Sequence, residues 1–201
     1  NFDINNEKGR NMMINGFGYR LTTDSAGVIT FTVKQTAGSF SLCDMTVIHN
    51  GTNQFIRTRT DPANDDVRQD ITVNLTDVKL CAEKDVKDAY KYGLINLADQ
   101  GSANLILIRS EISMKRSAAT GGDRYSIIRV DRDVKEQEVV ITMIDSIINA
   151  SEAEGRSGIA VTGKSGTTAT MLLKNTVIDT KNQYPIYVYG TDATCKVVVH
   201  K

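Results

Sequence analysis

The sequence predicts an all-β protein, a solenoid of about six coils whose short strands stack in parallel. Two observations predict this fold: an eight-residue pattern recurs along the chain, and a second short apolar segment follows each copy. These segments are rich in Val, Ile and Thr and too short for helices, which favours β-structure. With 201 residues, 40% of them hydrophobic, the chain is long enough to bury a sizeable core.

The first strand of each coil is predicted by the eight-residue pattern, which reads apolar, any, Leu or Met, any, usually Asp or Asn, any, any, apolar. The copies are "FSLCDMTV", "VNLTDVKL", "LILIRSEI", "ITMIDSII" and "MLLKNTVI", and they start 33, 32, 36 and 30 residues apart. Such uneven spacing suits coils whose corners accept insertions. We expect the third-position residues to stack in the core: Leu42, Leu75, Leu107, Met143 and Leu173. We expect the fifth-position residues to form a ladder at a bend, with side chains that hydrogen-bond the turning backbone: Asp44, Asp77, Arg109, Asp145 and Asn175.

The second strand of each coil is predicted by "FIRTRT", "LINLAD", "IIRVDR", "GIAVTG" and "PIYVYG". Alternation with a period of two gives each segment an inward pair. The pairs are Ile95 and Leu97, Ile128 and Val130, Ile159 and Val161, Ile186 and Val188, with Ile56 and Thr58 as a weaker first member. The insertions between strands are polar and turn-rich, so we expect loops there.

The start of the chain fits the pattern poorly. We expect residues 1–27 to form an irregular N-terminal coil or a cap, and residues 28–201 to form the parallel β-helix domain. An irregular coil would use Ile29, Phe31 and Val33 as inward residues, whereas a cap would cover an edge that is otherwise prone to aggregation. A shortened copy of the pattern, "CKVVVHK", ends the repeat.

The repeat resembles the right-handed, single-stranded parallel β-helix of the pectate-lyase-like superfamily, whose coils often read "apolar-x-N-x-x-I" followed by "GI-x-V-x-G". The nearest matches are "LLKNTVI" with "PIYVYG" and "MIDSII" with "GIAVTG", and the resemblance covers roughly residues 28–201. It implies a fold but no single activity, because the superfamily includes lyases, hydrolases, adhesins and phage tailspikes. It also implies a secreted bacterial protein, at the cell surface or outside the cell.

A candidate glycan-binding strip follows from the outward positions of the second strands. Alternation places there Arg57, Arg59, Asn96, Arg129, Asp131, Tyr187 and Tyr189, with the small residues Ala98, Ala160 and Thr162 between them. Tyrosine faces stack on sugar rings, and arginine binds carboxylates or sulfates in a bidentate way. The same residue types also occur on ordinary β surfaces, where they stabilise the sheet, so a plain surface is the competing interpretation.

Composition excludes several classes of function. Lys and Arg number 24, as do Asp and Glu, so no net field favours nucleic acid. No apolar run is long enough for membrane insertion. We expect no cofactor and no metal site, because the chain has only two histidines and no CxxC spacing. Cys43, Cys81 and Cys195 leave two readings open, three thiols or one disulfide with a free thiol.

These patterns favour a non-catalytic module over an enzyme. No pair of adjacent outward carboxylates supports glycoside hydrolysis, and Asp131 stands alone in its column. No outward Lys joins the arginines, as a lyase would require. We expect a secreted or cell-surface module that binds polysaccharide or serves as a rigid adhesin-like scaffold, with other domains of a longer chain as further partners. A polysaccharide lyase acting on an acidic glycan is the alternative.

Overall fold

The fold is a parallel β-solenoid, seen in a computed structural model that describes residues 2–6, 11–23, 29–33, 38–60, 69–83, 93–98, 101–115, 126–130, 137–151, 157–162, 166–180, 184–189 and 194–200. Every regular element in this described part is a β-strand, which confirms the predicted fold class. The first nine strands are β1 Phe2–Asn6, β2 Asn11–Asn15, β3 Arg20–Thr23, β4 Ile29–Val33, β5 Gly38–His49, β6 Ile56–Thr60, β7 Gln69–Ala82, β8 Ile95–Ala98 and β9 Gly101–Ile108. The others are β10 Glu111–Met114, β11 Ser126–Val130, β12 Glu138–Ile144, β13 Ile147–Ala150, β14 Ser157–Val161, β15 Thr168–Lys174, β16 Val177–Thr180, β17 Tyr184–Val188 and β18 Thr194–His200.

One sheet, here called sheet A, takes one strand from each coil. Its seven strands lie in the order β1-β4-β6-β8-β11-β14-β17, and all pairings are parallel. From β6 onwards these strands coincide with the predicted second strands. Because each strand pairs only with its counterparts in neighbouring coils, the polypeptide winds as a solenoid.

The other sheet, here called sheet B, has two parallel columns that meet at a bend. The first column contains β2, the first half of β5 and of β7, β9, β12, β15 and β18. The second contains β3, the second half of β5 and of β7, β10, β13 and β16. The eight-residue pattern therefore crosses the bend, which interrupts the strand in later coils and only distorts it in β5 and β7.

The bend lies where the sequence predicts it. The fifth-position residues all have a left-handed backbone conformation, with φ between 47° and 54°: Asp44, Asp77, Arg109, Asp145 and Asn175. Asp and Asn adopt this conformation at lower cost than most residues, which explains their recurrence. Their side chains were expected to bond the turning backbone, and this was wrong: in the described part of the chain, four of the five bond each other in pairs. Arg109 forms two 2.7 Å bonds with Asp77, and Asn175 Nδ2 donates to Asp145 Oδ1 over 2.7 Å.

The turning backbone is instead bonded by the residue after the bend. Ser110 Oγ donates to Leu75 O over 3.0 Å and accepts from Val78 N over 3.1 Å. Ser146 and Thr176 occupy the same position in the next two coils, and Ser146 Oγ accepts from Ser110 N over 3.2 Å. Hydroxyl groups therefore satisfy backbone groups inside the bend, as buried polar groups require.

The core occupies the space between the sheets and confirms the predicted stacking. Leu42, Leu75, Leu107, Met143 and Leu173 are buried and pair in register from coil to coil. The inward pairs of β8, β11 and β14 are also fully buried. In β17 the pattern continues, but Ile186 is only partly buried and Val188 is exposed.

The N-terminal residues contribute three strands to the same columns. β1 pairs with β4, and β2 and β3 pair with the two halves of β5. Met12 and Ile14 align with the core residues Phe40 and Leu42, yet both are exposed on their open side. The side chains of Ile29, Phe31 and Val33 lie outside the described ones, although their strand pairs with β6.

Candidate functional site

The outward column of sheet A is aligned as the sequence predicts. Arg57 pairs with Asn96, Asn96 with Arg129, Arg129 with Ala160, and Ala160 with Tyr187. Arg59 pairs with Ala98 in the parallel column. Strand alternation thus placed these residues on one face, opposite the core.

The middle of this column is closed, so the expectation of an open strip was wrong there. Asn96, Arg129, Ala160 and Thr162 are all buried, and Arg129, at 1% exposure, is the largest fully buried side chain in the described part. Alternation sets the direction of a side chain but not whether another segment covers it. These residues cannot contact a polymer lying on the surface.

Part of the covering segment is visible beside β8. Gly93 has a φ of 85°, and a Cβ at this position would lie 3.0 Å from the Cβ of Arg129 and 3.3 Å from Ser126 O. The chain leading into β8 therefore passes against the outer side of β11, and only a glycine fits at this approach. This close approach is one physical reason why the strip is closed at Arg129.

Backbone carbonyl groups near the ends of two sheet A strands, β8 and β11, accept hydrogen bonds from side chains. Gln137, which is fully buried, donates from Nε2 to Leu97 O over 3.1 Å, and Thr162 Oγ1 donates to Val130 O over 2.8 Å. These side chains join the strand ends of sheet A to the next corner. Thr162, predicted as an outward small residue of the strip, therefore has a structural role.

Two predicted site residues fall outside what can be described. Asp131 lies outside the described residues, and the side chain of Arg59 lies outside the described side chains. Arg57, which lies in β6, is partly buried. Of the predicted charged residues, Arg57 is thus the one that the structure places at a partly open position.

The aromatic end of the column is open. Tyr187 lies between two other tyrosines of the same segment: its ring centroid is 5.8 Å from that of Tyr184 and 6.2 Å from that of Tyr189. The interplanar angles are 22° and 7°, so the three rings are nearly parallel. Tyr184 is 62% exposed and Tyr189 is 50% exposed. Tyr184, Tyr187 and Tyr189 are called the tyrosine ladder below.

The sequence predicted two members of the ladder and missed the third. Tyr187 and Tyr189 are two residues apart, as alternation requires, whereas Tyr184 is three residues before Tyr187 and precedes Pro185. The recurring aromatic in "YPIYVY" was the available signal. A period of two did not place Tyr184 on the face of Tyr187 and Tyr189, because Tyr184 lies three positions before Tyr187. Tyr184 is the first residue of β17.

The ladder rests on a fixed backbone. β17 pairs with β14 from Tyr184 to Val188, and Tyr189 N donates to Val161 O over 2.8 Å. Each ring is therefore attached to a hydrogen-bonded strand rather than to a loop. Rings held on a paired strand lose less conformational freedom when they bind a ligand than rings on an unpaired loop.

In the second column of sheet B, charged side chains of successive coils form ion pairs. Lys79 Nζ lies 3.2 Å from Glu111 Oε2, and Lys115 pairs with Glu83. The hydrogen bond from Arg109 lowers the pKa of Asp77, and the hydrogen bond to Glu111 raises the pKa of Lys79. Both shifts favour the charged forms, so these groups are poorly suited to exchanging protons in catalysis.

The cysteines and histidines of the described ranges belong to no cluster of metal-binding side chains. Cys43, Cys81 and Cys195 are free thiols, and burial raises the pKa of Cys195. His49 is fully buried against Phe55, with Nδ1 2.7 Å from Thr23 Oγ1 and Nε2 2.9 Å from Asn53 O. Among the described residues no group of three His, Cys, Asp or Glu side chains could hold a metal ion.

Comparisons with known proteins give no relative: the chain matches no protein-family model, no curated protein and no solved structure. No helix in the described ranges is long and apolar enough to cross a membrane.

Proposed function

We propose that this chain is a non-catalytic β-helix module that binds polysaccharide through the tyrosine ladder of its last coil. The observation that carries the proposal is the row of three nearly parallel rings on one hydrogen-bonded strand, in which Tyr184 and Tyr189 are exposed and Tyr187 is partly buried between them. The exposed faces and edges of these rings form an apolar surface that a ligand can cover.

Sugar polymers have the chemistry that this row can recognise. The faces of pyranose rings carry C–H groups that pack on aromatic faces, while the tyrosine hydroxyl remains free to bond the sugar hydroxyls. A row of rings along β17 offers several such contacts to one extended chain. A free monosaccharide would contact only part of it, so a polymer gains more from the site.

The arginines have a smaller role in this proposal than the sequence suggested. Arg129 is buried, and Arg57 in β6 is separated from the ladder by β8, β11 and β14, whose outward residues in this column are buried. A neutral glycan therefore fits the ladder better than a sulfated or uronic one. A lyase would need an accessible cationic group beside the substrate, and neither described arginine side chain of this column, Arg57 or Arg129, provides one at the ladder.

The pectate-lyase-like resemblance and an extracellular location belong to the same proposal. The resemblance rests on the parallel solenoid with a recurring bend residue and on the "GI-x-V-x-G" form of the sequence around β14, and the extracellular location follows from the resemblance alone. A rigid solenoid that carries its ligand site on one coil also suits a surface scaffold. Glycan binding and a scaffold role are compatible in one molecule.

Binding to immobilised glycans, followed by affinity measurements in solution, tests the proposal. Tyr187→Ala should weaken binding about tenfold or more, because it removes the central ring of the row, whereas Tyr187→Phe should keep most of the affinity. Tyr19→Ala is a matched control, since Tyr19 is also an exposed tyrosine but lies at the opposite end of the solenoid. Absence of binding to every glycan, or equal losses for Tyr187→Ala and Tyr19→Ala, would refute the proposal.

A further inference from the structure

The tyrosine ladder runs along β17 and not along the solenoid axis. Tyr184 is the first residue of this strand and Tyr189 directly follows its last residue. Successive ring centroids in the ladder are 5.8 Å and 6.2 Å apart. Coils stack in the direction of the hydrogen bonds between strands, which is perpendicular to the strands themselves. A ligand that contacts all three rings therefore lies across the solenoid, whereas the strip expected from the sequence runs from coil to coil.

The direction along the axis is closed towards the earlier coils. Tyr187 pairs with Ala160 and Ala160 with Arg129, and the last two are each 1% exposed. Thr162, directly after β14, is also fully buried. A polymer that left the central ring towards β11 would meet covered side chains. The contact that the structure offers towards these coils therefore ends at β17.

The position of the ladder is fixed by close packing at the start of β17. A Cβ on Gly158 of β14 would lie 3.0 Å from Pro185 O and 2.5 Å from Ile178 Cγ2, so the backbone of β17 passes directly against this glycine. Proline fixes its own φ and restricts the preceding residue to an extended conformation. Tyr184 is therefore held in the direction of the strand, and the spacing of the rings is set by the backbone.

The surroundings of the ladder carry no charge. Residues 157–162 and 184–189, which are β14 and β17 with the residue after each, contain no Asp, Glu, Lys, Arg or His. A carboxylate or sulfate on a ligand would find no cation in these two segments to replace its hydration. They favour a ligand without charge.

The geometry of the row favours a straight ligand. The three rings are nearly parallel, with interplanar angles of 22° and 7°, and their centroids are about equally spaced. A straight polymer repeats the same contact at each ring, whereas a coiled polymer leaves the row after the first contact. Pyranose units linked through equatorial bonds form an extended ribbon, and α-1,4-linked glucose units form a coil. One unit of such a ribbon is similar in length to the spacing between two rings.

We propose that the tyrosine ladder takes three consecutive units of a straight, neutral, equatorially linked polysaccharide, which lies along β17 and across the solenoid. This inference rests on the proposed function, since it requires that the ladder binds a glycan. The C–H groups of each sugar pack on the parts of the rings that the offset stack leaves uncovered, and the tyrosine hydroxyls bond sugar hydroxyls. Three rings limit the site to three units, so further units of the chain add little.

Titration calorimetry of the full chain with soluble oligosaccharides tests the linkage and the length. The ligands are β-1,4-linked gluco-, manno- and xylo-oligosaccharides of two to six units, with α-1,4-linked gluco-oligosaccharides of the same lengths as the comparison. We expect at least one β-linked series to bind about tenfold or more tightly than the α-linked series. Within that series the affinity should rise steeply from two units to three and by less than about twofold for each further unit.

Variants at the two ends of the row test its direction. Tyr184→Ala and Tyr189→Ala should each weaken binding of the three-unit ligand about tenfold but change binding of the two-unit ligand by less than about twofold, because two neighbouring rings remain. Tyr187→Ala should weaken both, since it removes the central ring. Tyr184→Phe keeps the ring and checks that the strand still forms. Arg57→Ala is the matched control along the axis and should change nothing, because it lies in the column of Tyr187 but in β6.

The outcomes separate this inference from the proposed function. Tyr187-dependent binding to any immobilised glycan would support the proposed function, whatever the shape of that glycan. The inference would be overturned if no β-linked series bound more tightly than the α-linked one, if affinity kept rising about tenfold per unit beyond three, or if Arg57→Ala weakened binding as much as Tyr189→Ala. Absence of binding to every glycan, immobilised or soluble, would refute both.

Discussion

Arg129 in β11 and Tyr187 in β17 occupy the same column of sheet A, two coils apart, yet their environments are opposite. Arg129 is fully buried, whereas Tyr187 belongs to a row whose flanking rings are at least half exposed. The difference shows that the repeat determines which face a residue occupies. The segments that run over the face determine whether that residue is available to a ligand.

The core shows the same contrast between the middle and the end of the solenoid. Leu107 and Val199 share one inward column, and the first is fully buried while the second is 70% exposed. A middle coil has neighbours on both sides, whereas the last described coil has one. Position along the solenoid axis therefore has as much influence on burial as side-chain direction.

The largest effect on stability is expected in the core. Leu107→Ala should lower the free energy of unfolding by roughly 2 to 5 kcal/mol, the usual range for a buried leucine that leaves a cavity. Val199→Ala removes apolar groups from the same column at the end and should cost less than about 0.5 kcal/mol. Chemical denaturation followed by circular dichroism measures both, and similar losses for the two variants would contradict the difference in packing between the middle and the end of the column.

The outward column should show a smaller difference of the same kind. Arg129→Ala removes a large, fully buried side chain and should cost roughly 2 to 4 kcal/mol. Tyr187→Ala should cost less than about 1 kcal/mol, since the ring is partly in water. If the arginine change leaves stability intact, Arg129 is not packed as the structure shows.

Acidification should lower the stability of the fold through protonation of His49 in the unfolded chain. Burial lowers the pKa of this imidazole in the folded protein, so the unfolded chain binds a proton more readily. Stability is therefore fully present above the unfolded value of about 6.5 and is lost as pH falls below it, with a slope of at most about 1.4 kcal/mol per pH unit. Unfolding curves between pH 8 and pH 5 measure this loss, with pH values chosen to bracket about 6.5.

The effect of pH should disappear in a His49→Gln variant and persist in His200→Gln, because His200 is exposed on the last strand. A pH dependence that follows His200 instead would contradict the assignment to the buried ring.

The bend should give the smallest effect. Asp145 has a φ of 50°, a conformation that costs most residues about 1 to 2 kcal/mol. Asp145→Ala should therefore lower stability by about 1 kcal/mol, and Asp145→Gly should restore most of it. Thermal unfolding resolves a change of this size. A glycine variant less stable than the alanine variant would exclude a strained bend at this position.

Sequence reasoning reached the strands, the bend and the inward columns, because each depends on a short pattern repeated in every coil. It missed the hydroxyl ladder of Ser110, Ser146 and Thr176, although a Ser or Thr follows the bend residue in three copies. It also treated the outward column as uniform. The chain at Gly93 passes close to Arg129, and this glycine comes from an insertion with no repeated pattern, so alternation alone could not reveal the approach.

Hydrogen exchange, measured by mass spectrometry, tests the contrast between closed middle and open end most directly. The amides of β8, β11 and β12, which have paired neighbours on both sides and buried side chains, should exchange slowest, at the rate of global unfolding. Those of β17 and β18 should exchange much faster, because local opening of the last coil exposes little buried surface. Equal protection of β11 and β17, or faster exchange in β11, would contradict the account.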